Sequence, residues 1–76
     1  MGVQYYVVDY DIPVDPQAKR RAFYRALHKT LRAYEIEADR STQSVWIIDN
    51  KKIAEAIHSL AASYGTSHLY QATQVN

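Results

Sequence analysis

Val3-Gln4-Tyr5-Tyr6-Val7-Val8-Asp9-Tyr10-Asp11-Ile12 is the stretch that decides the architecture. Valine, tyrosine and isoleucine dominate it, and these residues favour a pleated, packed backbone. Both alternating sets, Val3/Tyr5/Val7 and Tyr6/Val8/Tyr10, are apolar or aromatic. A strand apolar on both sides belongs in the middle of a sheet, with something packed on each face. Pro13 and Pro16 end it, and Asp15 is placed to cap a helix whose first position is Pro16.

Outward from this strand, the spacing predicts a helix from about Pro16 to Tyr34. Phe23, Leu27, Thr30, Leu31 and Tyr34 recur on one stripe, and Arg21, Arg25, His28 and Arg32 form another. At about 100° per residue the second stripe fills roughly 60° of arc and points away from the first. A strong strand follows at Ser44 to Ile48, preceded by a weakly patterned piece, Ile36 to Arg40. Two readings fit that piece: a strand joined to the next by a hairpin near Asp39 to Thr42, or one bent strand. A second helix, capped by Asp49 or Asn50, keeps Ile53, Ile57, Leu60 and Tyr64 on one face. Gly65 stands where a left-handed terminus would be, and Thr66 to Val75 is the last strand. The expectation is α+β: a ferredoxin-like β-α-β-β-α-β domain over residues 1–76, an antiparallel sheet with two helices on one face.

A chain of 76 residues has room for one core, and a domain this short buries only roughly 60% of its unfolded surface. An open sheet edge or face on so small a unit makes a homodimer the expected state. The chain lacks cysteine, so disulfides and thiolate metal sites are excluded. No apolar stretch is long enough to span a bilayer, which gives a soluble, cytoplasmic protein as the expectation.

Net charge is only +1, but its distribution is uneven. Six of the nine Lys and Arg residues are Lys19, Arg20, Arg21, Arg25, Lys29 and Arg32, and no acid lies between Pro16 and Tyr34. A helical face of one sign can neutralise successive phosphates without reading bases. The expected nucleic-acid contacts, to DNA or RNA, are Arg20, Arg21, Arg25, Lys29 and Arg32.

Asp9 and Asp11 stand two apart on a strand and project to one face, with Cα atoms roughly 6.5 Å apart. They are either polar strand-end residues or ligands for a hard cation such as Mg²⁺, which takes one or two carboxylates plus water and phosphate oxygens. His28, His58 and His68 have no metal-ligand spacing, and no nucleophile-elbow motif is present. Most of the seven tyrosines are expected in the core.

Several of these residues form a pattern. Tyr10-Asp11-Ile12 closes a hydrophobic first strand, Arg20-Arg21 and Leu27 to Leu31 lie in the next helix, and Ser44-Val45-Trp46 lies in a later strand. This resembles the small CRISPR-associated adaptation protein family, the partner of the CRISPR integrase. That family has a strand ending Tyr-Asp-Ile, an Arg-rich first helix and a Gln-x-Ser-Val-Phe strand. The resemblance covers about Val3 to Ile48; the virulence-associated protein D type is similar in fold and strand-end acid. Gln43 directly precedes Ser44, Trp46 stands for the family's Phe, and Glu35 for its glycine after the first helix.

The resemblance implies a ferredoxin-like homodimer in antiviral defence with Mg²⁺ or Mn²⁺ at the dimer interface. Asp11 would be the metal-binding and catalytic residue, with Asp9 beside it, and Arg20 or Arg21 would match the helix arginines. It further implies endonuclease action on RNA or DNA, or a duplex-holding role beside an integrase-type partner. The rival expectation is a non-catalytic scaffold or regulatory dimer of the same fold.

Overall fold

The computed structural model describes residues 3–36 and 44–74. Along the chain run β1 (Val3–Asp11), α1 (Gln17–Ala33), β2 (Val45–Ile48), α2 (Lys51–Tyr64) and β3 (Thr66–Gln74). The strands form one antiparallel sheet in the order β2-β1-β3. The class is therefore α+β, as expected, with β1 central. The described elements include three strands rather than the expected four. Of the expected additional strand, Ile36 to Arg40, Ile36 instead closes the turn after α1; the remainder, with the turn near Asp39 to Thr42, falls at residues 37–43, outside the described residues.

The pleat of β1 sorts its side chains. Val8, Tyr10 and Ile12 are buried, and the register sets Trp46 and Leu69 beside Val8, and Ile48 beside Tyr6. Phe23, Leu27 and Leu31 of α1 and Ala54, Ile57 and Ala61 of α2 close over this side. The stripe at i, i+4, i+8 in α1 is thus the packed one. Phe23 meets Tyr10 edge-on with ring centroids 5.0 Å apart, a geometry aromatic pairs prefer. The opposite face is not packed as the apolarity of β1 suggested. Tyr5 and Val7 are half-buried, Asp11 is exposed, and Ile47 is 68% exposed. Both helices lie on one side, so among the described residues no second layer covers the other.

Helix ends obey capping chemistry, with two departures from expectation. Asn50 Oδ1 accepts from the Ile53 N–H at 3.2 Å, so of the two expected caps of α2, Asp49 or Asn50, it is Asn50 that caps. At α1 Asp15 makes no cap; Pro16 itself holds the N-cap position without a side-chain hydrogen bond. The end of α1 is a Schellman turn: the Glu35 N–H donates to the Arg32 carbonyl and the Ile36 N–H to the Leu31 carbonyl, at 3.0 and 2.9 Å. Glu35 sits at φ 61°, a conformation that suits glycine better. Gly65 is extended (φ −171°) rather than left-handed. Its missing side chain is required for another reason, since a Cβ there would collide with the Asp11 carbonyl.

Trp46 Nε1–H donates to Tyr10 Oη at 2.7 Å inside the core. Burial pushes the Tyr10 phenol up to about 12, against the opposing pull of the Trp46 hydrogen bond. A raised folded value favours the native state fully below the ordinary tyrosine value of about 10; that advantage is lost as pH rises through about 12. Tyr10→Phe leaves the Trp46 N–H unpaired and is expected to cost about 1–3 kcal/mol at neutral pH. It should also remove part of the alkaline loss of stability. Urea midpoints of both proteins from neutral to strongly alkaline pH check this, and parallel curves would contradict it.

Candidate nucleic-acid interface

On α1, Arg21, Arg25, Lys29 and Arg32 are exposed. Among the described residues the close acid–base contacts are Lys51–Glu55 and the His68–Asp9 hydrogen bond, and neither involves a cation of this face. Because Phe23, Leu27 and Leu31 bind the helix to the sheet, the arginine stripe is turned outward. Arg21 to Arg32 spans roughly 16 Å of helix. Such a row offers point and fork donors to a phosphate backbone along a line. Arg32 also lies in the last turn of α1, where a cation is favoured by the helix dipole.

Arg20 and His28 are placed differently. Arg20 Nη1 donates to the Ile12 carbonyl at 2.7 Å, and its guanidinium lies 5.3 Å from the Tyr24 ring centroid. It therefore braces the junction between β1 and α1. His28 is half-buried with its ring 6.3 Å from that of Tyr24, at the margin of the stripe.

Asp9 and Asp11 do share a face of β1, as the spacing predicts, and it is the face away from the helices. Asp9 pairs in register with His68, and Asp11 with Thr66. His68 Nδ1–H donates to Asp9 Oδ1 at 2.9 Å, while the His68 ring stacks on Tyr70 at 6.1 Å. Residue spacing alone does not reveal this partnership, because it depends on strand register between residues 59 apart. Among the described residues no group of three or more His, Cys, Asp or Glu could hold a metal ion. Asp11 and Asp9 are the donors one copy offers to Mg²⁺ or Mn²⁺; water and phosphate oxygens would have to complete such a shell.

A second histidine has a structural task. Ser67 Oγ–H donates to the Asp9 carbonyl at 3.1 Å, and His58 Nδ1 lies 2.8 Å from Ser67 Oγ. With the hydroxyl proton committed to the backbone, His58 Nδ1–H is the donor in the second bond. The trio ties α2 to β3 and β1, and leaves no activated serine.

The sheet separates the two sets of predicted residues. The arginines lie outside the helical layer and the carboxylates on the open side of the sheet, so one copy does not bring a phosphate on α1 to Asp11. No family model, curated protein or solved structure matches the chain. The likeness to adaptation proteins rests on the quoted residues alone.

The distinct position of Arg20 has a measurable consequence. Arg20→Gln is expected to lower stability by about 1–3 kcal/mol through loss of a charge-assisted bond to Ile12, while the salt dependence of polyanion binding keeps its parental slope. A slope reduced by about one unit would place Arg20 on the phosphates instead.

Proposed function

We propose that this chain works as a homodimer that holds the phosphate backbone of DNA or RNA through α1. The observation that carries the reading is the exposed face of Arg21, Arg25, Lys29 and Arg32, none of which forms an ion pair with a described carboxylate. Contacts of this kind supply affinity without sequence preference. The described sheet and helices are compatible with a ferredoxin-like arrangement, the fold we propose for the whole domain. The resemblance to adaptation proteins supports a duplex-holding role beside an integrase-type partner.

The test is salt dependence. Affinity for a short duplex should fall with salt at roughly −0.9 in log–log slope for each phosphate neutralised. Replacing Arg21, Arg25 and Arg32 together by Gln should flatten the slope by nearly three such units. A parent slope near zero would reduce the basic face to a solvated helix surface.

Metal-dependent cleavage is the second reading, favoured by the exposed Asp11 carboxylate on the same strand face as Asp9. A divalent cation held by Asp11 and Asp9 would polarise a phosphoryl oxygen. The chain's own part would be to fix the cation at the strand end, for a phosphodiester bound on the open face of the sheet rather than along α1. Asp11→Asn keeps shape and removes the charge such a cation needs. It is expected to abolish Mg²⁺- or Mn²⁺-dependent cleavage while the salt slope of binding stays unchanged. Tight binding by the parent with no cleavage under either cation would leave the holding role alone.

A further inference from the structure

We propose that the homodimer forms along the free edge of β3, by antiparallel pairing of β3 with its own copy about a two-fold axis at Tyr70. This rests on the homodimer reading above and names its interface.

The direction of each backbone group follows from one hydrogen bond. Tyr10 N–H donates to the Ser44 carbonyl at 3.0 Å, on the β2 side of the sheet. Successive residues of a strand alternate, so Asp9, Val7 and Tyr5 direct their backbone groups toward β3. Their register partners are His68, Tyr70 and Ala72, which answer them. The N–H and C=O groups of Ser67, Leu69, Gln71 and Thr73 are thereby turned outward. β3 is the last strand of the described order β2-β1-β3, so this edge meets no described strand.

Edges left open in stable monomers are blunted by lysine, proline, a bulge or a charge turned inward. Thr-Ser-His-Leu-Tyr-Gln-Ala-Thr-Gln has no Lys, Arg, Asp, Glu, Pro or Gly over nine residues, and it pairs with β1 in unbroken register. The occupant is a second copy because the strand is complementary to itself. An axis at Tyr70 sets Leu69 against Gln71 of the partner subunit, and Ser67 against Thr73 of the partner subunit. Every outward group is then used, in about eight hydrogen bonds. An axis at Leu69 or Gln71 would pair fewer. Tyr70 meets its own copy as an aromatic cross-strand pair, and His68 lies opposite the small Ala72 of the partner subunit, so no like charges are opposed. The uncharged strand has nothing to select an acidic or basic peptide. An axis perpendicular to the sheet keeps both helical layers on one side, so the two α1 helices share that side of a sheet twice as wide.

Two variants of the full chain test the interface. At a non-hydrogen-bonded antiparallel pair the Cα atoms lie about 4.5 Å apart, within disulfide reach. The chain has no cysteine, so Tyr70→Cys should form a covalent dimer under mild oxidation. Ile47→Cys, on the open face of β2, should not. Gln71→Pro removes an outward N–H from each copy but no bond to β1, a change an edge strand tolerates. Sedimentation should show its dimer dissociation constant raised at least tenfold, with far-ultraviolet circular dichroism unchanged. A dimeric parent in which Ile47→Cys cross-links and Tyr70→Cys does not would put the interface on the open face, overturning the edge while leaving the homodimer. A monomeric parent at tens of micromolar would overturn both, and the salt slope of duplex binding would still stand or fall separately. If Gln71→Pro fails to fold, absence of the Tyr70→Cys cross-link alone overturns the proposal.

Discussion

The side of β1 that carries Val8, Tyr10 and Ile12 is packed under Phe23, Leu27 and Leu31, and the placement of every other group follows from that contact. Phe23, seated edge-on against Tyr10, sets which face of α1 meets the sheet. A turn of about 100° in either direction would expose Phe23 or bury an arginine. The cost of burying an unpaired guanidinium exceeds what any one apolar contact returns, so the basic stripe is fixed outward by the same packing that closes the core. Arg20 strengthens this arrangement from the junction, where its bond to the Ile12 carbonyl joins the end of β1 to the first turns of α1.

The same pleat that buries the even-numbered side of β1 delivers Asp9 and Asp11 to the other side. The arginine stripe of α1 and the two carboxylates of β1 are thereby set on opposite sides of the sheet. This sorting favours a holding role over a single-copy hydrolytic site, since phosphates drawn to α1 are kept from the carboxylates by the sheet and helices themselves. A net charge of +1 thus conceals an exposed helical stripe that carries only Lys and Arg among its ionised side chains.

What could be read from the sequence was whatever depends on short-range periodicity. The alternation in Val3 to Ile12 marks the central strand, and the i, i+4, i+8 spacing of Phe23, Leu27 and Leu31 marks the packed stripe of α1. Asn50 was legible as a cap because capping is local. The covering of β1 was misread, because Tyr5 and Val7 make its second face apolar while no described layer lies over it. Glu35 hid the Schellman turn, since a glycine there would have announced the positive φ that Glu35 adopts. Gly65 misled in the opposite sense: it signals a left-handed terminus by type, yet is needed for close passage beside the Asp11 carbonyl. His68 could not be paired with Asp9 without the register.

That register makes the two carboxylates chemically unequal. Asp9 is partly withdrawn from water and already engaged by the His68 imidazole, so a cation approaching it must compete with that donor. Asp11 faces Thr66 across the strand pair and is exposed, with water as its alternative partner. A hard cation that keeps most of its own water is therefore better matched to Asp11 than to Asp9. At the end of β1, Asp11 is thus the carboxylate open to solvent, with Asp9 and His68 forming a hydrogen-bonded pair behind it.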